Sequence, residues 1–131
     1  MTETFVADGA EVVICSRSHG DVEDVATELS KADLPGTVLP VEADVTEQDA
    51  VDSLRECTLD KFSDIDILVN NAGGSDLAPS DDIDSSALEH NIEMNIVGTY
   101  TVTQAFADPL RDNGGAIVNM ASMADNMRFR R

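Results

Sequence analysis

Short apolar runs alternate with amphipathic helical stretches along the chain. Glu11 to Cys15 (EVVIC) is short and β-branched, as a buried strand is. Thr37 to Val41, Asp66 to Asn70 (DILVN) and Ala116 to Met120 (AIVNM) form three further strand candidates. Between the first two, Asp21 to Ser30 places Val22, Val25, Ala26 and Leu29 at helical spacing. Thr46 with Asp49 three residues later predicts a capping box, and the helix behind it aligns Ala50, Val51, Leu54 and Cys57. Asn71 to Asp82 reads as a loop rich in Gly, Ser, Asp and Pro. From about Ser85 a long helix places Leu88, Ile92, Ile96, Thr99 and Phe106 on one side, and Pro109 is expected to kink or end it. Asn113-Gly114-Gly115 predicts a turn before the fourth strand. Strands joined by helical crossovers predict a single α/β domain over residues 1–131, built on a doubly wound parallel sheet.

In such sheets ligands bind beyond the carboxyl ends of the strands, which directs attention to the residues there. Ser16 and Arg17 follow the first strand. An arginine at this point accommodates a ribose 2′-phosphate, where an acidic residue would bind the 2′-hydroxyl, so the pair favours NADP(H) over NAD(H). Asp44, in Ala43-Asp44-Val45-Thr46, is placed to accept from an adenine amino group, and equally to start a helix. Asn70-Asn71-Ala72-Gly73-Gly74 follows the third strand, with small residues that let a ligand approach the backbone. Ser122 follows the fourth, where its hydroxyl suits either a substrate carbonyl or a turn. Asn95 lies in the long helix beside Ile92 and Ile96, and a buried asparagine there must find hydrogen-bond partners.

Charge narrows the range of partners. The chain has 26 acidic and 8 basic residues, a formal charge of −18. Phosphate polyanions would be repelled, so nucleic acid is excluded, and an anionic membrane surface is excluded likewise. No apolar run reaches the ~20 residues of a spanning helix, and no signal peptide is recognisable, so the expected location is the cytoplasm. Cys15 and Cys57 have no metal spacing and are expected to be reduced, partly buried thiols; no metal site is expected. Self-repulsion on this scale destabilises a compact state at low salt, and high salt screens it. The composition therefore points to a salt-rich, halophilic cytoplasm with an acidic proteome.

The runs EVVICSRS (Glu11 to Ser18), ADVT (Ala43 to Thr46), DILVNNAGG (Asp66 to Gly74), EMNIVGTY (Glu93 to Tyr100) and GGAIVNMASM (Gly114 to Met123) together resemble the short-chain dehydrogenase/reductase family. The closest similarity is to its 3-oxoacyl-carrier-protein reductase and glucose dehydrogenase-like branch. The resemblance covers residues 5 to 125 and implies hydride transfer between a nicotinamide cofactor and an alcohol or carbonyl substrate. It implies cofactor contacts at Arg17, Asp44, Val45, Asn71, Ala72 and Gly73, with Asn70 bracing the sheet. It implies that Asn95 holds a water of the proton relay and that Ser122 orients the substrate carbonyl and stabilises its developing charge. Small-molecule substrates are the implied partners, and a homo-oligomer through the long helix is a further implication.

Two family elements have no match. The Thr-Gly-x-x-x-Gly-x-Gly turn that cradles a pyrophosphate is missing, and Met1 to Gly9 looks like the end of the helix that follows it. No Tyr-x-x-x-Lys is present: the only tyrosine is Tyr100, and four residues later stands Gln104. The expectation is a partial Rossmann-like sheet lacking its first, central strand, and a fragment inactive on its own. A degenerate, non-catalytic or partner-binding module is the alternative. Loss of the central strand leaves two inner edges, beside Cys15 and Asn70, and predicts poor independent stability.

Overall fold

The computed structural model describes residues 1–74 and 84–121. Its elements run α1 (Thr2–Ala7), β1 (Glu11–Ser16), α2 (His19–Ser30), β2 (Thr37–Glu42), α3 (Gln48–Phe62), β3 (Ile67–Asn70), α4 (Ser85–Ile92), a π-helical turn (Glu93–Val97), α5 (Gly98–Asn113) and β4 (Ala116–Asn119). All four expected strands form. Each pairs in parallel, β1 with β2 and β3 with β4. Among the described residues the two ladders share no strand-to-strand pairing, so the sheet is divided into two halves. This is the partial Rossmann-like α/β architecture expected, with one edge of β1 and one edge of β3 unpaired among the described residues.

Both halves rest on one apolar core. Val51 and Leu54 of α3, Val102, Phe106 and Leu110 of α5, and Leu68 of β3 are buried together with Ala43. Val13 of β1 and Val41 of β2 pack against the same cluster. One helix layer therefore holds two strand pairs that do not hydrogen-bond to each other. On the other side, Val6 of α1 is buried against the turn at Gly36, whose amide donates to the Val6 carbonyl at 2.9 Å.

Three local readings change. Thr46 makes no capping box: α3 starts at Gln48 without a side-chain cap, and the Thr46 hydroxyl turns back to donate to Asp44. Pro109 does not end α5, which continues to Asn113 and closes on Gly114 in the left-handed region. There the Gly115 amide bonds the Leu110 carbonyl at 2.7 Å, a Schellman closure. Cys15 and Cys57 are free, as expected, but exposed rather than partly buried.

The largest correction concerns the long helix. Of the residues expected on its buried side, Phe106 is buried, while Leu88, Ile92 and Ile96 are exposed. The inward row is Gly98, Val102, Phe106 and Leu110, spaced every four residues. Leu88, Ile92, Ile96 and Tyr100 form a second row, offset by two residues and therefore nearly opposite. The widened turn at Glu93–Val97 separates the α4 and α5 registers, so no single apolar stripe runs their whole length.

Candidate functional site

The carboxyl ends of β1, β2 and β3 open into one cleft of about 300 Å³. It is lined by Cys15, Ser16 and Arg17 after β1, Ala43, Asp44 and Val45 after β2, Asn71, Ala72 and Gly73 after β3, and Met94 from the π turn. Six residues singled out from sequence, Arg17, Asp44, Val45, Asn71, Ala72 and Gly73, thus meet in one place. Their convergence follows from parallel pairing, which points every strand's carboxyl end the same way.

Asp44 is fixed by its own chain. Its carboxylate accepts from the Thr46 amide at 3.0 Å and from the Thr46 hydroxyl at 2.7 Å. These two bonds, the backbone one foremost, hold the Asp44 carboxyl below the usual carboxylate range; nearby Arg17 adds a smaller pull. Asp44 therefore presents a charged acceptor at the cleft wall. At the neighbouring strand end, desolvation raises the Cys15 thiol, so this residue contributes an uncharged wall even though part of it remains exposed.

Asn70 ties three elements together. Its side-chain amide donates to the Thr103 hydroxyl of α5 at 3.1 Å and to the Asn119 side-chain oxygen of β4 at 2.8 Å. The Asn70 carbonyl accepts from the Met120 amide at 2.9 Å. With its start pinned this way, the loop from Asn71 leaves β3 in a fixed direction.

Asn95 is not buried as expected; it is exposed, yet well bonded. Its amide nitrogen donates to the Gly74 carbonyl at 2.6 Å and to the Asn91 carbonyl at 2.8 Å. Its amide oxygen accepts from the Gly74 backbone N–H at 3.2 Å. The Thr99 hydroxyl donates to its backbone carbonyl at 3.0 Å. The Asn95 oxygen sits where a Cβ on Gly73 would fall, 2.7 Å from that position, so the loop approaches this closely only with glycine at 73. Ser122 lies outside the described residues.

Sequence reasoning missed Met94 and Cys15 as cleft walls and Gly74 as the partner of Asn95. Met94 carried no signal, because the wide turn that aims it at the cleft depends on tertiary packing. Gly74 was legible only as one of several small loop residues.

Comparison with known proteins agrees with this geometry. The chain matches the family described as short chain dehydrogenase over residues 1–131. It is similar to a sorbitol dehydrogenase of Cereibacter sphaeroides, 35% identical, an alignment covering 93% of this chain and 46% of that protein. Among solved structures it is similar to a 3-ketoacyl-ACP reductase of Sinorhizobium meliloti, with a TM-score of 0.85 and 31% identity, covering 96% of this chain and 49% of that one. It is similar also to an alcohol dehydrogenase of Thermococcus sibiricus complexed with 5-hydroxy-NADP, with a TM-score of 0.84 and 25% identity, covering 90% and 50%. The chain spans about half the length of the curated relatives it matches. Two parallel strand pairs, a cleft at the carboxyl ends of β1, β2 and β3 and a family match along all 131 residues place the chain in the short-chain dehydrogenase family.

Proposed function

We propose that these residues form the cofactor-holding half of an NADP(H)-dependent oxidoreductase that interconverts alcohols and carbonyls. The observation that carries this reading is the cleft that gathers Arg17, Asp44, Val45, Asn71, Ala72 and Gly73 at three strand ends. A bound nicotinamide cofactor would supply the hydride acceptor or donor. The Arg17 guanidinium would pair with a ribose 2′-phosphate, a geometry for which its planar fork is suited. The charged Asp44 carboxylate would accept from an adenine amino group while Thr46 keeps it oriented. The Asn71–Gly73 backbone would lie along the cofactor, held by Asn70 on one side and Asn95 on the other. Ser122, by family resemblance, would orient the substrate carbonyl.

The preference for NADP(H) over NAD(H) rests on Arg17 and on the absence of an acidic residue at the end of β1. No Tyr-x-x-x-Lys occurs in these residues, and positioned proton transfer is typically worth about 10²–10⁴-fold in rate. The proposal is therefore cofactor binding without efficient turnover by the 131 residues alone.

Fluorescence titration with NADPH and NADH tests the reading. Saturable binding, tighter for NADPH, is the expected result. No binding of either would favour the alternative of a non-catalytic, partner-binding module.

A further inference from the structure

We propose that His19 makes the choice between NADP(H) and NAD(H) depend on pH, by offsetting or releasing two carboxylates beside the 2′-phosphate position. The inference rests on the cofactor reading above and goes beyond it, because that reading takes Arg17 alone as the selecting charge.

Local structure brings the groups to one corner. β1 ends at Ser16, whose register partner on β2 is Glu42. The next residue along each strand lines the cleft, Arg17 after Ser16 and Ala43 after Glu42. The Ala43 amide donates to the Ser16 carbonyl at 2.9 Å, which holds the two strand ends together. α2 begins at His19, two residues after Arg17. Glu23, one turn along α2, lies 3.4 Å from the His19 Nε2, and Glu42 lies 4.0 Å from its Nδ1. The imidazole is thus bracketed by one carboxylate at each nitrogen. α2 packs on β1 and β2. The titratable and charged groups these elements bring to the corner are Cys15 and Arg17 at the end of β1, Glu42 on β2, and Asp21 and Glu23 on α2.

Charge decides the direction. A phosphate monoester has its second pKa at about 6 and carries close to two negative charges above it. With the imidazole neutral, Glu23 and Glu42 oppose such a group and Arg17 alone attracts it. With the imidazole protonated, a second cation stands beside Arg17 and offsets the carboxylates. The uncharged 2′-hydroxyl of NAD(H) responds little to either state. Histidine is the side chain that ordinarily changes charge between about pH 5 and 8, so the preference for NADP(H) strengthens as the ring gains its proton. The three side chains are 47–60% exposed, and solvent screens them. The expected effect is therefore about two- to fivefold, the range of exposed charge pairs.

The experiment follows the two histidine rings by NMR through a pH titration of the 131-residue chain, free and saturated with NADPH or NADH, at low salt. His19→Gln assigns the His19 signal. By linkage, a ligand that prefers the protonated ring raises the ring's titration midpoint by the same factor. NADPH should raise the His19 midpoint by about 0.3–0.7 pH, the same two- to fivefold on a logarithmic scale, and NADH should leave it in place. Affinities measured near pH 6 and near pH 8 give the converse. Protonation of the phosphate weakens NADPH toward about pH 6 in every variant, so the native chain is compared with His19→Gln. The native ratio of NADPH to NADH affinity should exceed that of His19→Gln near pH 6, by about two- to fivefold more than it does near pH 8. Glu42→Gln should raise NADPH affinity near pH 8 and leave NADH affinity in place. A His19 midpoint unmoved by bound NADPH, an equal shift with NADH, identical pH profiles for native and His19→Gln, or an equal gain for both cofactors in Glu42→Gln would each overturn this inference and leave the cofactor reading standing. Absence of saturable binding of either cofactor would overturn both.

Discussion

The side chain of Asn95 grips the backbone of Gly74 at both its polar groups, donating to the carbonyl at 2.6 Å and accepting from the N–H at 3.2 Å. One residue of the π turn thus sets the path of the loop that forms a wall of the cleft. Each such bond contributes about 1 kcal/mol net, less where water competes. Asn95→Ala should weaken NADPH binding roughly fivefold while leaving the helical circular dichroism unchanged. The same side chain occupies the space that a Cβ at residue 73 would need. Gly73→Ala should therefore cost less in the Asn95→Ala background than in the native chain. A double-mutant cycle on NADPH affinity measures this coupling, expected at about 0.5 kcal/mol or more for groups in contact. Strict additivity would show that the two residues do not share the space.

Arg17 is the one cation lining the cleft among the described residues. If it meets a 2′-phosphate, Arg17→Glu should reduce NADPH affinity by about 10- to 100-fold, the range for a lost charge-assisted bond plus repulsion. NADH affinity should change little or rise. Parallel titrations of the two cofactors decide this. An equal loss for both would mean that Arg17 acts on the fold and not on the phosphate.

Phe106 and Ile96 separate the two faces of the long helix. Phe106 is 3% exposed and Ile96 is 63% exposed. Phe106→Ala should cost about 3–5 kcal/mol, enough to unfold a marginal domain. Ile96→Ser should change stability by less than about 0.5 kcal/mol. Urea unfolding of the two variants gives both values.

These two residues also show what the sequence could and could not reveal. The four strands, and six of the ten residues that line the cleft, were legible, because β-branched runs and strand-end residues report backbone-level facts. The buried face of the long helix was not. Leu88, Ile92, Ile96 and Phe106 satisfy helical spacing only if the helix is regular, and the π turn at Glu93–Val97 breaks that regularity. Thr46 was misread for a related reason. Its hydroxyl had two acceptable partners, a helix start and the Asp44 carboxylate, and local spacing does not choose between them. Asn95 was rightly expected to need partners; the Asn91 carbonyl is a local one, but the Gly74 backbone groups lie 21 residues away, invisible to any local pattern.

The lowered Asp44 carboxyl makes stability depend on pH in a defined direction. Two bonds from Thr46 favour its charged form in the folded chain. The unfolded carboxyl has a pKa of about 3.9. A carboxyl depressed on folding contributes stability above the unfolded value and loses it as pH falls through the folded value. Asp44→Asn should therefore be destabilising at neutral pH, and the gap to the native chain should close below about pH 4. Urea midpoints measured across this range give the test; a gap that widens in acid would reverse the sign.

Charge along α3 yields a prediction about salt. Asp52, Glu56 and Asp60 are exposed and follow one another at four-residue spacing, so one face of the helix carries a row of like charges. Each such neighbour pair costs about 0.2–0.5 kcal/mol. Glu56→Lys turns two repulsions into two attractions and should stabilise the chain by roughly 1 kcal/mol at low ionic strength. Raising KCl shortens the Debye length from about 10 Å at 0.1 M to about 3 Å at 1 M. The native chain, at −18, should melt at a higher temperature as salt is added, and the advantage of Glu56→Lys should shrink over the same interval. Thermal scans of both chains across a KCl series separate general screening from this local row. A native melting point indifferent to salt would remove the case for a halophilic origin. A Glu56→Lys gain that persists at high salt would arise from side-chain propensity and not from charge.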